Sequence, residues 1–257
     1  MKSLDLFKLS GKAAVVTGGG RGIGRTIALA LAEAGADVAV ASRNLENCTA
    51  VADEISRGVG SKTYAQQLDV TDRESISRLV AAVKDKFGQV DILVNNSGSA
   101  WGAPFEEMPL EKWEQVIRTN LTGTFLMTQA VVPMMEQRRW GRIINVSSVA
   151  GLVAPPDFMN TVGYTASKGG IISLTRELAV KLADRGIVVN AIAPSFFPSK
   201  MTSAFIQKFG DKIRGATPMK RLGEEDDLKG AVVFLASQAA SYITGQVLAI
   251  DGGYTAA

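Results

Sequence analysis

Short apolar runs alternate with longer amphipathic ones along the whole chain. Ala13–Val16 (AAVV) is continuously apolar, long enough for one strand buried on both faces and too short for a helix. Comparable strand signals recur at Asp37–Ala41, Lys62–Leu68, Asp91–Val94, Arg142–Val146, Val188–Ile192 and Gln246–Ile250. A helix-length segment separates each from the next. Asn44 is placed to cap a helix starting near Leu45, and Thr71 with Glu74 reads as a capping box for a helix reaching Phe87, with Gly88 just past its end. Further helices are expected from about Lys112 to Gln137 and from Tyr164 to about Arg185. This alternation predicts an α/β protein with a doubly wound parallel sheet of about seven strands and helices on both faces. No linker or composition break divides residues 1–257, so one domain is expected.

The first strand runs straight into Gly18, Gly19, Gly20, Gly22 and Gly24, and then an Ala/Leu-rich helix opens. A strand turning tightly into a helix N-terminus presents unpaired N–H groups and the positive end of the helix dipole, which together attract anions. Glycine suits that turn because a Cβ would hold the backbone away from a pyrophosphate. The pattern points to a Rossmann-type sheet. Its strand ends carry Gly18–Gly24, Ser42-Arg43, Asp69-Val70, Asn95–Gly98, Ser147-Ser148 and Ala193–Ser195, mostly small or polar residues, as a cofactor crevice requires. Many dinucleotide folds put a carboxylate after the second strand to bind the ribose 2′-hydroxyl. Here Ser42 and Arg43 follow, and Arg21 lies in the glycine loop, so a 2′-phosphate is favoured and NADP(H) is expected over NAD(H).

Composition narrows the chemistry. The chain has 257 residues, 46% of them hydrophobic, enough for one large domain. No run reaches the ~18 apolar residues of a membrane span and the N-terminus lacks a signal-peptide core, so a cytoplasmic protein is expected. The single cysteine, Cys48, excludes an internal disulfide, and a net charge of +3 without a Lys/Arg block gives no support to nucleic-acid binding. Histidine is absent. That removes His-dependent triads and His-ligated zinc, and no metal site is expected. Tyr164 and Lys168, four apart at a helix start, are the best general acid/base pair remaining, and the ammonium is expected to lower the tyrosine pKa. Ser148, at the end of the fifth strand, can hydrogen-bond a substrate oxygen beside the tyrosine.

With Thr17-Gly18-x-x-x-Gly22-Ile23-Gly24, Asn95-Asn96-Ser97-Gly98, Asn120, Ser148, Tyr164-x-x-x-Lys168 and Asp251-Gly252-Gly253, nearly the whole chain resembles the short-chain dehydrogenase/reductase family. The resemblance implies Tyr164 as acid/base, Ser148 orienting the carbonyl, Lys168 on the nicotinamide ribose and Asn120 holding a relay water. It also implies that Asp69 and Val70 meet adenine, that Asn96, Ser97 and Gly98 line the ribose, and that Pro194, Phe197 and Ser199 lie beside the nicotinamide. The family's N-N-A-G reads N-N-S-G here, and its P-G reads Pro194-Ser195. The stretch between Ser148 and Tyr164 is longer than usual. Trp101, Phe158, Met159, Phe196, Phe197, Met201 and Phe205 are expected to line the substrate pocket. The likeness is to 3-oxoacyl thioester reductases and about equally to gluconate 5-dehydrogenase-like relatives; Arg139 and Arg185 match arginines that meet an acidic carrier protein. An apolar pocket favours a 3-oxoacyl or other apolar ketone over a sugar acid. A silent NADP-binding regulator is the remaining alternative. A homotetramer built through the long helices and the last strand is expected from the resemblance.

Overall fold

Along β1 (Ala13–Thr17) successive side chains enter opposite cores: Ala14 and Val16 join Ile27, Leu31 and Val94 on one face, while Val15 joins Leu79, Leu93 and Ile143 on the other. Burial on both faces is why the strand reads as an unbroken apolar run. The computed structural model describes residues 2–157, 159–200 and 202–257. β2 (Asp37–Ser42), β3 (Thr63–Gln67), β4 (Ile92–Asn95), β5 (Gly141–Val146), β6 (Ile187–Pro194) and β7 (Val247–Ile250) join β1 in one seven-stranded sheet of order β3-β2-β1-β4-β5-β6-β7. Every pairing is parallel. The chain reverses its direction of travel between β1 and β4, so a crevice opens at their carboxyl ends.

Helices α1 (Gly22–Glu33) and α2 (Leu45–Gly58) cover the first face with α8 (Glu225–Ala236). The second face carries α3 (Arg73–Phe87), α5 (Gly123–Arg138) and α6 (Val162–Leu182). α4 (Leu110–Ile117) packs on α6, and α7 (Ser203–Ala216) follows the loop after β6. Asn44 caps α2 as expected, accepting from the Asn47 N–H at 2.8 Å, and Gly88 ends α3 with φ 75°.

Two local expectations are corrected. Asp72, not Thr71, caps α3 and accepts from the Glu74 N–H at 2.9 Å, because Asp69 captures both the N–H and the hydroxyl of Thr71 at 2.8 Å. The long helix expected from Lys112 to Gln137 is interrupted by a π turn at Arg118–Thr122 that joins α4 to α5. Such single-turn widenings put one residue out of the helical ladder and often mark functional sites; this one carries Asn120. Among the described residues no helix is long and apolar enough to cross a membrane.

Candidate active site

Thr17, the last residue of β1, ties the glycine loop to β4. Its Oγ1 accepts from the N–H groups of Asn96 and Ser97, both at 3.0 Å, and donates to the Val94 carbonyl at 3.3 Å. Asn96 returns the link: its Nδ2 donates to the carbonyls of Thr17 and Gly18, both at 3.0 Å. Asn96 thus acts first on the loop that would carry a cofactor. Gly18 adopts φ +65°, and a Cβ on Gly24 would lie 2.2 Å from the Gly18 carbonyl oxygen. Ile23 and Gly24 form the first turn of α1, whose N–H groups have no intrahelical acceptor, and Arg21 stands exposed at the N-cap without a capping bond. This donor set, closed to side chains at Gly18 and Gly24, fits a dinucleotide pyrophosphate.

On the adenosine side, Ser42 Oγ donates to the Asn44 carbonyl at 3.1 Å and lies 3.0 Å from Cys48 Sγ. Arg43 is exposed, with its carbonyl held by Gln67 Nε2 at 3.2 Å. Asp69 sits below the usual carboxylate range: burial pushes it up, but the two Thr71 hydrogen bonds and the Arg43 and Arg118 charges outweigh that. Val70 packs on the start of α5, where a Cβ on Gly123 would meet its Cγ2 at 2.7 Å.

The other end of the crevice gathers the expected tetrad. Ser148 follows β5, accepts from the Ala150 N–H at 3.2 Å through its Oγ, and stands beside the Tyr164 phenol. Lys168, buried one turn along α6, donates from Nζ to the Val146 carbonyl at 2.7 Å, and Ser147 Oγ donates to the Lys168 carbonyl at 2.9 Å. The expected fall in the tyrosine pKa is corrected: desolvation pushes the Tyr164 phenol up, and the neighbouring Ser148 hydroxyl only partly opposes this. The ammonium is engaged with β5, and burial lowers its own pKa to about 8. Asn120 is fully buried in the π turn, where its side chain bonds Ser99 and Ser167. Gly98 lies alongside: its Cβ position is 3.5 Å from Asn120 Oδ1 and 3.9 Å from Lys168 Nζ.

The pocket residues fall into separate groups. Phe196 stacks on Phe205 at 5.9 Å between ring centres and meets Tyr254 edge-on at 6.3 Å. It borders a cavity of about 360 Å³ that Ser195, Met219, Arg221 and Asp251 also line. Phe197, expected in the pocket, also borders this cavity while packing its ring in the core, so close to Gly223 that a Cβ there would lie 2.4 Å away. Buried Pro194 ends β6, and Ser199, whose Cβ is 3.3 Å from a Cβ position on Gly22, faces the glycine turn. Trp101 is half-exposed, with Lys112 Nζ 4.7 Å over its ring; Met159 is half-buried in the long loop, whose Asn160 carbonyl accepts from the Ala103 N–H at 3.0 Å. Phe158 and Met201 lie outside the described residues. Arg139 donates to the Asp184 carbonyl at 2.8 Å and Arg185 pairs with Glu136 at 3.9 Å, so both cations have local partners. Ser99 and Ser167 escaped sequence reasoning; only their adjacency to Gly98 and Lys168 marks them, whereas Ser147 was read as a strand-end residue.

A parallel sheet with a glycine turn at its switch point and a Ser–Tyr–Lys cluster beside it defines an NAD(P)-dependent oxidoreductase acting on CH–OH groups. A family model described as Enoyl-(Acyl carrier protein) reductase matches residues 18–255. The chain belongs to the short-chain dehydrogenase/reductase family. It is 40% identical over 247 residues to 3-oxoacyl-[acyl-carrier-protein] reductase FabG of Aquifex aeolicus (strain VF5), covering 96% of this chain and 98% of that one. Among solved structures, a short-chain type dehydrogenase/reductase from Mycobacterium marinum matches at TM-score 0.96 and 37% identity over 100% of both chains. A gluconate 5-dehydrogenase from Burkholderia cenocepacia J2315, in complex with NADP and tartrate, matches at TM-score 0.94 and 36% identity, again over 100% of both.

Proposed function

We propose that the chain is an NADPH-dependent reductase interconverting a ketone and a secondary alcohol, with a 3-oxoacyl thioester or another apolar ketone as substrate. The observation carrying the chemistry is Tyr164, half-buried beside Ser148 with the Lys168 ammonium 5.4 Å from its ring centre and its phenol pKa pushed up by desolvation. A raised phenol pKa keeps the group an acid at neutral pH, which suits proton delivery to a carbonyl oxygen. Ser148 Oγ donates to the same oxygen and fixes its direction. Lys168 orients the ribose hydroxyls and offsets negative charge on the phenol as the proton leaves. Bound nicotinamide supplies the hydride. Thr17, Gly18, Gly22 and Gly24 hold the pyrophosphate end, Asp69 and Val70 the adenine, and Arg43 with Arg21 the 2′-phosphate.

The apolar substrate class rests on Phe196, which stacks on Phe205 after β6, and on the half-exposed Trp101 in the loop after β4. Likeness to the Aquifex 3-oxoacyl reductase agrees with it. A sugar-acid substrate is the second reading, favoured by likeness to the Burkholderia neighbour, a gluconate 5-dehydrogenase. An acetoacetyl thioester and 5-ketogluconate, each assayed with NADPH, decide between them. The thioester is expected to have the higher kcat/KM. An advantage of about tenfold for the ketogluconate, roughly 1.4 kcal/mol of transition-state binding, would reverse the assignment. Residues 1–257 are read as one domain. A homotetramer is also proposed, supported by exposed Val180, Tyr242 and Leu248 near the β7 edge and Phe125 on α5.

A further inference from the structure

Ser167 is fully buried between Tyr164 and Lys168 on α6, and no step above uses it. Its Oγ donates to the Tyr164 carbonyl at 2.7 Å and accepts from Asn120 Nδ2 at 2.9 Å. The second Asn120 amide hydrogen goes to the Ser99 carbonyl at 2.9 Å, and Asn120 Oδ1 accepts from the Ser99 N–H at 2.8 Å. Both carboxamide hydrogens are therefore in use. The side chain of Asn120 links three segments: the loop after β4, the π turn and the second turn of α6. Ser167 is the only contact in this set that reaches the turn carrying Tyr164.

Packing alone does not explain a serine here. Alanine would fill the same space, favour the helix and leave no hydroxyl to desolvate. A helical hydroxyl bonded to the carbonyl three residues back competes with the backbone ladder and bends the turn. In exchange, this hydroxyl offers Asn120 an acceptor that a helix backbone does not. Gly98 stands against both Asn120 Oδ1 and Lys168 Nζ, so any movement of the carboxamide reaches the wall of the crevice.

We propose that Ser167 is a positioning residue: through Asn120 it fixes the Tyr164 turn relative to the loop after β4, and so sets where the phenol meets a bound ketone. The inference rests on the reductase reading. A displacement of about 1 Å at a reacting group can cost on the order of a hundredfold in rate. Ser167→Ala is expected to lower kcat fivefold or more, with KM and the NADPH dissociation constant, measured by nucleotide fluorescence, within about threefold. Because the two residues act as one link, Asn120→Ala combined with Ser167→Ala should lose little more than the worse single variant. Ser167→Cys, a weaker donor of similar shape, should fall between wild type and alanine.

A kcat loss under fivefold in Ser167→Ala, or fully additive losses in the double variant, would overturn the proposal. Should the alanine variant fail to fold, Ser167→Cys decides alone: kcat within twofold of wild type overturns, and a larger loss at unchanged KM supports. A wild type without turnover on any ketone would instead refute the reductase reading. The ultraviolet titration of the Tyr164 phenol, taken as the difference from Tyr164→Phe, then carries the test. A Ser167→Ala curve displaced from wild type supports positioning, and a superimposable curve overturns it.

Discussion

The Lys168 ammonium lies 5.4 Å from the centre of the Tyr164 ring, but its hydrogen bond goes to the Val146 carbonyl of β5. The cation therefore does not hold the phenol ionised; the neighbouring Ser148 hydroxyl favours the phenolate, and desolvation outweighs it. Tyr164→Phe should remove nearly all turnover, since general acid catalysis contributes about 10²–10⁴-fold, while NADPH affinity stays within a few-fold. Steady-state rates and a fluorescence titration check both halves. Activity above about a tenth of wild type would show that another group delivers the proton.

The pH dependence follows from the same pair. Burial raises the phenol pKa and lowers that of Lys168 to about 8, so below pH 8 the phenol is protonated and the lysine charged. Ketone reduction should hold level up to about pH 8 and decline above it as the ammonium is lost. In the cofactor-free protein the depressed lysine pKa disfavours the folded state below pH 8, and this penalty is relieved between about 8 and the ordinary lysine value of 10.5, where only the unfolded chain keeps the proton. Lys168→Met should remove that relief. Melting temperatures of wild type and variant, plotted against pH, should converge as pH rises; parallel curves would contradict the assignment.

Arg43 bears on cofactor choice. Its backbone is held by Gln67 and its side chain is free in solvent near Asp69. Replacing it with aspartate puts a like charge where a 2′-phosphate would dock. With charge-assisted bonds contributing about 1.5–3 kcal/mol, Arg43→Asp should lower kcat/KM for NADPH by about tenfold or more and change the NADH value far less. Equal losses with both cofactors would mean that Arg43 does not meet the phosphate.

The interior strands could be read from the chain because burial on both faces leaves uninterrupted apolar runs, as in Ala13–Val16. β3, with the sequence TYAQQ, is only partly buried at the sheet edge, and there the signal was weakest. Gly18 and Gly24 were legible because nothing else fits their positions. The π turn left no trace, since RTNLT holds a single apolar residue, Leu121, and a one-residue widening cannot be read from one position. Ser167 was invisible for a different reason: its partner Asn120 is 47 residues away, and a serine inside a helix carries no mark of what it faces. Adjacency gave Tyr164 its cationic neighbour and hid the desolvation that dominates its titration.

Gly24 separates a steric role from a helical one. It lies in α1 with ordinary helical backbone, where alanine is the better helix former by roughly 1 kcal/mol. Propensity alone would make Gly24→Ala stabilising. Against this, the added Cβ would stand 2.2 Å from the Gly18 carbonyl oxygen and 2.4 Å from Asn96 Nδ2, two groups fixed to each other by a 3.0 Å hydrogen bond. Neither can retreat without opening the turn between β1 and α1. Gly24→Ala should therefore lower the melting temperature and weaken NADPH binding by about tenfold or more, through loss of the N–H cradle. Gly230, inside α8 with nothing within 4 Å of its Cβ position, is the control. Gly230→Ala should raise the melting temperature by about 2–4 °C and leave NADPH binding unchanged. Equal, stabilising shifts from both substitutions would show that the close approach at Gly24 does not constrain the loop.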